Sequence, residues 1–145
     1  MTGAGAIPLF VDTGAFYARA DADDRHHDTA KRVFEGIRRG DLAYRPIYTS
    51  RFVLSELATL LLYKIGHGTA ARTLRAIRES ESFTVCSADE AAARQFEAYD
   101  DQEISFVDHA TSVLAGERNV DHVFAFDSDF RTLEFTLVPE DTDEP

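Results

Sequence analysis

Five short apolar segments punctuate the chain, and stretches with helical spacing lie between them. The segments have the length of strands, and most are rich in Val, Ile, Phe or Tyr, which favour strands. Such alternation predicts an α/β domain of three layers, with a central, mainly parallel sheet flanked by helices. The predicted strands are IPLFV (7–11), YRPIY (44–48), SFTVC (82–86), HVFAF (122–126) and EFTLV (134–138).

Two of the predicted elements have features that bear on their position in the fold. Pro46 interrupts the second strand, and because proline cannot donate to a sheet ladder it favours an edge or the first position of a strand. The segment RFVLSELATLLLY (51–63) is apolar nearly all round, which predicts a helix buried against the sheet. Glu56 shares a stripe with Val53 and Leu60 on this helix, so we expect its carboxyl group to point inward.

The length of 145 residues indicates one domain spanning 1–145, whose polar ends, 1–6 and 139–145, are expected to be flexible tails. No apolar run approaches the roughly 20 residues that a membrane span needs, and the start lacks the features of a signal peptide. The single cysteine, Cys86, excludes an internal disulfide and is expected to be a small buried hydrophobe. We therefore expect a cytoplasmic protein.

The charge is unusual, because 26 acidic residues stand against 15 basic ones and give a net charge of −11. Lys31 and Lys64 are the only lysines, and the other bases are arginine. Such acidity repels polyanions at low salt. Two interpretations stay open: either the charge is an adaptation to a high-salt, halophilic cytoplasm, which screens the repulsion, or the substrate is not a polyanion.

Several acids lie where a strand gives way to a helix, and each has an ordinary explanation when taken alone. Asp12 follows the first strand and could cap a helix. Asp108 follows Ser105 by three residues, as in a capping box. Asp127 and Asp129 follow the fourth strand in FAFDSDF, where either could start a short helical turn, although one cap needs only one aspartate.

Together these acids and Glu56 point to a metal site, because ligands of an open α/β sheet bind at the carboxyl ends of its strands. Clustered carboxylates repel one another unless a cation neutralises them, and Mg²⁺ or Mn²⁺ prefers oxygen ligands. Such an ion supports hydrolysis of phosphodiester bonds. The five histidines have no zinc-binding spacing, and neither GxxxxGK[ST] nor GxGxxG occurs, so the sequence supports no zinc or nucleotide site.

The segments VDTGAF, TSRFVLSELATLL, DDQEISFVDHA and FAFDSDF resemble those of the PIN-domain ribonucleases, particularly the VapC-like toxins of toxin–antitoxin pairs. The resemblance extends from Leu9 to Val138 and implies a five-stranded sheet of order 3-2-1-4-5. It also implies an endoribonuclease that uses Mg²⁺ or Mn²⁺ and leaves 5′ phosphate and 3′ hydroxyl ends. The metal site that it implies consists of Asp12, Glu56, Asp108 and Asp127, with Asp129 as a fifth participant and the hydroxyls of Thr13 and Ser105 as supporting groups.

The resemblance further implies partners, namely an RNA substrate, a small cognate antitoxin that covers the cleft with a basic side chain, and a second copy in a homodimer. Arginines are candidates for RNA contact, although a row of charges is usually only a solvated face. The candidate RNA-binding residues are Arg51, Arg72, Arg75, Arg78 and Arg131.

Three other functions remain as alternatives. The first is a PIN-fold nuclease in RNA processing, and the second is a PIN fold kept as a noncatalytic binding module. The third, a receiver-like signalling domain, also gathers acids at one sheet edge. Its pattern fits poorly, because the third strand ends in Cys86 and Ser87 where a phosphoacceptor aspartate should stand.

Overall fold

The computed structural model describes residues 5–87 and 89–142, and shows a five-stranded parallel sheet with helices on both faces. The strand order is β3-β2-β1-β4-β5, and all four pairings are parallel, so the predicted fold class and strand order are confirmed. The strands are β1 (Ile7–Val11), β2 (Tyr44–Ser50), β3 (Phe83–Cys86), β4 (His122–Phe124) and β5 (Thr136–Val138). The helices are α1 (Thr13–Ala20), α2 (His27–Arg39), α3 (Arg51–Lys64), α4 (His67–Glu79), α5 (Asp89–Ala98), α6 (Phe106–Glu117) and α7 (Asp129–Thr132).

The alternation of side chains along the strands divides the core between the two faces of the sheet. On β1, Leu9 and Val11 pack into one cluster with residues of α1 to α4, whereas Phe10 packs into the other with residues of α6 and α7. The same division separates Phe124 from Val123 on β4. Cys86 is buried in the second cluster, as expected.

Pro46 does not mark an edge, because β2 lies between β1 and β3. The pairing of β2 with β1 shifts register between the residue pairs Ile7–Tyr44 and Leu9–Ile47, and the pairing of β2 with β3 starts only at Ile47. The proline therefore occupies an irregular stretch of the ladder, where a missing N–H is tolerated.

The last two strands are shorter than their apolar segments predict. The pairing of β4 with β5 ends at Phe124 and Val138, and the next residue, Pro139, has no N–H to extend it. At the start of β5, Glu134 has a left-handed φ of 71°, and the N–H of Phe135 donates to Phe130 in the preceding turn. The last two residues of the first segment and the first two of the second therefore lie outside the strands.

Helix α3 is buried against the sheet, as predicted, but by one face only although its sequence is apolar nearly all round. Val53, Leu57 and Leu61 are fully buried, but Leu62 and Tyr63 are exposed. The four-residue spacing of Val53, Leu57 and Leu61 gives the buried stripe of an ordinary amphipathic helix. The opposite positions are free to take part in a cleft or a protein interface.

Among the described residues, no helix is both long enough and apolar enough to span a bilayer. Part of each predicted tail, 1–4 and 143–145, lies outside the described residues. Within the predicted C-terminal tail, Asp141 accepts hydrogen bonds from the N–H of Leu137 and from Arg131.

Candidate metal centre

The sheet brings two of the candidate acids to the same edge. Asp12 directly follows β1, and its N–H donates to the carbonyl of Phe124 at the end of β4, at 3.1 Å. Asp127 follows β4 by three residues. Because β1 and β4 are parallel neighbours, both carboxylates lie at the carboxyl end of the sheet, where α/β folds bind ligands.

Helices α6 and α3 contribute two further acids. Asp108 lies in the first turn of α6, where its N–H donates to the Oγ of Ser105, the residue that caps the helix, at 3.1 Å. Its side chain is buried, with 7% exposure. Glu56 faces the same cleft from α3, but it is half-buried rather than enclosed in the core, since it lies beside the stripe that contains Val53 and Leu57.

The acids line one cleft of about 590 Å³. All five candidate ligands lie in its wall, and so do both candidate supporting residues, Thr13 and Ser105. Two more acids, Asp24 and Glu103, also line it, together with the basic residues Arg25 and His26. The cleft is therefore strongly acidic, as a cation site must be.

Three carboxylates approach one another closely: Asp108, Asp127 and Asp129 each offer an oxygen within 4.8 Å of the other two. Asp127 has a second task, because its Oδ1 accepts a hydrogen bond from the N–H of Asp129 at 2.9 Å. This bond forms the turn that begins α7. The sequence left open which of the two aspartates closes that turn; in the structure Asp127 does, and the carboxylate of Asp129 faces the other acids.

Burial and mutual repulsion disfavour the charged form of the carboxyl groups in the cleft. Burial, followed by the charges of Asp12, Asp127, Glu56 and Asp129, raises the pKa of Asp108 to about 8. For Asp12, burial and the charges of Glu56 and Asp127 outweigh the backbone N–H groups of Thr13 and Gly14 and raise the pKa to about 7. Burial and the charge of Asp127 also raise the pKa of Asp129. Such shifts are typical of functional sites.

The site fits a hard divalent cation. Asp12 Oδ1 and Thr13 Oγ1 are both buried, and neither has a hydrogen-bond partner within the described part of the chain. Buried polar atoms without partners are uncommon in proteins, and a cation beside the carboxylates would satisfy an oxygen of this kind. The donor set consists of oxygen atoms alone, which suits Mg²⁺ or Mn²⁺ rather than zinc.

The five arginines proposed to contact RNA lie outside this cleft wall. Arg131 is held by Asp141 at 2.7 Å and Glu140 at 3.4 Å, so its charge is compensated locally. The other four, Arg51, Arg72, Arg75 and Arg78, are exposed. Contact between RNA and these side chains stays a prediction.

Sequence reasoning missed the segment that joins α1 to α2, which brings Asp24, Arg25 and His26 to the cleft. The sequence offered one signal there, the run DADDRHH (21–27), which is dense in polar and ionisable groups. No spacing rule connects that run with Asp108 or Asp127, more than 80 positions further along the chain. Only the packing of the α1–α2 segment near the end of β4 reveals it.

Comparisons with known proteins agree with this architecture. Residues 9–136 match the family model described as PIN domain. The 23S rRNA-specific endonuclease VapC20 of Mycobacterium tuberculosis is 34% identical over 136 residues, which cover 90% of this chain and 97% of that protein.

Solved structures show the same likeness. The crystal structure of Mycobacterium tuberculosis VapC20, described as a sarcin–ricin loop cleaving toxin, matches with a TM-score of 0.76 and 33% identity, over 88% of this chain and 95% of that one. PAE2754 from Pyrobaculum aerophilum matches with a TM-score of 0.62 over 92% of this chain and 91% of that one. At 15% identity, the second match concerns the fold alone.

Proposed function

This chain belongs to the PIN domain family, and from that premise we propose that it is a divalent-metal-dependent endoribonuclease, the toxin of a type II toxin–antitoxin pair. The observation that carries the proposal is the convergence of Asp108, Asp127 and Asp129 within 4.8 Å, in the cleft that Asp12 and Glu56 also line. Family membership excludes the receiver-like alternative.

The residues proposed to hold Mg²⁺ or Mn²⁺ are Asp12, Glu56, Asp108, Asp127 and Asp129. When bound, such an ion supplies a Lewis acid that stabilises negative charge on a phosphate and lowers the pKa of water. Without a cation, the raised pKa values of Asp108 and Asp12 keep Asp108 mostly protonated and Asp12 partly protonated near neutral pH, so binding of a cation to them releases protons. Ser105 fixes the backbone of Asp108, and the turn closed by Asp127 orients Asp129.

The proposed reaction is hydrolysis of one RNA phosphodiester bond. Water attacks phosphorus, the bond to the 3′ oxygen breaks, and the 3′ oxygen takes up a proton. The products carry a 5′ phosphate and a 3′ hydroxyl. The substrate that we propose is the sarcin–ricin loop of 23S rRNA, because a relative with 34% identity over 90% of this chain is a 23S rRNA-specific endonuclease. We therefore expect the protein in the cytoplasm with the ribosomes.

The decisive test is cleavage of a synthetic sarcin–ricin stem-loop RNA with Mg²⁺ or Mn²⁺. We expect Asp12→Asn to reduce the rate about 100-fold or more, because a neutral amide removes charge where the cation must be held. Asp121→Asn is the matched control, since Asp121 is exposed and precedes β4 at the opposite edge of the sheet. Undiminished cleavage by the Asp12→Asn protein would overturn the assignment.

The toxin role adds two partners to the proposal, an antitoxin with a basic side chain that enters the acidic cleft and a second copy of this chain. Exposed apolar side chains at the end of α3, Leu62, Tyr63 and Ile65, support a protein interface there. We expect expression of the protein alone to arrest growth, and co-expression of a neighbouring small reading frame to relieve it. A processing nuclease would arrest nothing and would lack such a neighbour.

A further inference from the structure

Two aromatic side chains are stacked at one side of the cleft. The rings of His26 and Phe126 lie nearly parallel, with an interplanar angle of 3° and centroids 4.1 Å apart. Both side chains line the cleft that contains Asp12, Asp108 and Asp127, and both are half-buried. Phe126 directly precedes Asp127, so the pair lies immediately beside the carboxylates.

The ring of Phe126 is held from behind, and the backbone on either side of the His26 ring is fixed. Phe126 packs against the core and meets the ring of Phe124 edge-on, with centroids 6.0 Å apart. The N–H of His26 donates to Asp24 Oδ2 at 2.9 Å. The next residue, His27, contacts the carbonyl of Ala18 through Nδ1 at 2.7 Å. The pair is therefore a preorganised surface, which loses little freedom when a ligand stacks on it.

A purely structural role would be to fasten the α1–α2 segment to the end of β4. A fastening of that kind is most effective when it is fully buried, yet both rings keep part of their surface in the cleft. The electrostatics of the cleft favour a further role. Seven acids line it, so the site repels the phosphates of any RNA that approaches.

Stacking offers affinity that this repulsion does not cancel, because the face of a nucleobase carries no net charge. Stacking of a base on an aromatic side chain accounts for roughly 5- to 150-fold in affinity per base. Among the described residues, Arg25 is the one arginine or lysine in the cleft wall, and it precedes His26. It forms no ion pair within the part of the chain that the structure describes.

The geometry points to a nucleotide subsite in which a base next to the scissile phosphate stacks on the His26–Phe126 pair and Arg25 contacts a neighbouring phosphate. This inference rests on the proposed ribonuclease function and names how the substrate is held. The base stacks on the face of His26 that Phe126 does not cover, Phe126 supports the His26 ring from the core side, and the carboxylates remain responsible for hydrolysis. The acidic cleft then admits RNA whose bases are unpaired and able to turn outward.

The test measures binding of the sarcin–ricin stem-loop RNA by fluorescence anisotropy in the Asp12→Asn background, where bound RNA is expected to stay intact. We expect His26→Ala to weaken binding about 10-fold and His26→Phe, which keeps an aromatic face, to restore it. Arg25→Ala should weaken binding and also reduce its dependence on salt. His67→Ala is the matched control, because His67 is exposed at the start of α4 and outside the cleft wall.

A second set of RNAs separates stacking from a structural role. Each carries one abasic nucleotide near the cleavage position. On one of these RNAs, His26→Ala should cost nothing further, since the stacking partner is already absent. Two results would overturn the subsite: a His26→Ala protein that binds the intact RNA as tightly as the protein with His26, or a loss of affinity from His26→Ala that is the same on every abasic RNA as on the intact one. Failure of the proposed ribonuclease function would be a separate result, namely that the wild-type protein does not cleave the stem-loop RNA with Mg²⁺ or Mn²⁺.

Discussion

Asp108 is the residue at which burial and charge conflict most directly. Its pKa is raised from 3.8 to about 8, so in the folded, metal-free protein it keeps a proton that the unfolded chain loses near pH 4. Since the folded state binds more protons across this window, the free energy of unfolding falls as pH rises from about 4 to about 8. Asp12, with a pKa of about 7, contributes in the same direction.

This linkage predicts that Asp108→Asn stabilises the metal-free protein at high pH. Asparagine has nearly the shape of the protonated aspartate and cannot ionise, so the variant avoids the cost of a buried charge. We expect a melting temperature on the order of 5 °C above that of the wild type at pH 8.5 in EDTA, and little difference near pH 4.

Added Mn²⁺ should reverse the order, because binding to the folded state stabilises the wild type and should stabilise the variant far less. Asp121→Asn serves again as the control, since its carboxylate is exposed. Thermal melts from pH 4 to 9, with EDTA and with Mn²⁺, measure both effects. A variant that melts with the wild type at every pH would show that Asp108 ionises without penalty.

Asp127 allows its two tasks to be separated by substitution. Asparagine keeps an oxygen that can accept the bond from the Asp129 N–H, but it removes the charge. We expect Asp127→Asn to retain stability and to lose cleavage about 100-fold, whereas Asp127→Ala should lose cleavage and also about 1 kcal/mol of stability. Urea unfolding with parallel cleavage assays checks this; equal stability of the two variants would contradict the turn.

At the scale of secondary structure, the site depends on how helices begin. Ser105 caps α6 and so fixes Asp108 in its first turn, and Ser50 caps α3, whose second turn carries Glu56. In both cases the Oγ accepts a bond at 3.1 Å from the N–H three residues on. The sequence predicted a capping box at Ser105 and a metal ligand at Asp108 as alternatives. The two roles are compatible in the structure, because the cap uses the backbone N–H of Asp108 and leaves its carboxylate free for the proposed cation.

The cap at Ser105 predicts a paired loss of stability and activity. We expect Ser105→Ala to destabilise the protein by about 1 kcal/mol, with Ser105→Asp recovering most of that loss. Cleavage by Ser105→Ala should fall at low Mn²⁺ and recover at high Mn²⁺, because a frayed first turn weakens the positioning of a ligand without removing it. A loss of cleavage that no Mn²⁺ concentration restores would assign the Ser105 hydroxyl a direct role.

At the scale of the whole molecule, the net charge of −11 sets how the protein meets its substrate. Surface acids and RNA phosphates repel each other, and the Debye length falls from about 10 Å at 0.1 M salt to about 3 Å at 1 M. If the charge is a halophilic adaptation, cleavage of the stem-loop RNA should increase between these concentrations. Melting curves over the same series separate changes in folding from changes in encounter. Activity abolished by modest salt would contradict the halophilic interpretation.

The sequence by itself determined the alternation of strands and helices and singled out the five central acids as candidate ligands. Hydrophobic spacing is a local property, so five strands and the helix that carries Glu56 could be predicted from the chain. The largest errors in strand length occur where Pro139 or the left-handed Glu134 ended or delayed pairing, and the position of β2 inside the sheet was not predictable from Pro46. The resemblance to PIN-domain proteins supplied the strand order.

The tertiary structure alone decided which groups meet and what their surroundings do to them. Strand β4 lies beside β1, which places Asp127 near Asp12, and packing excludes enough water to raise the pKa of Asp12 and Asp108. The stack of His26 on Phe126 brings together residues that lie 100 positions apart in the chain. Local patterns record which residues share a turn or a strand face, but burial and electrostatic repulsion depend on distances that only the folded chain defines.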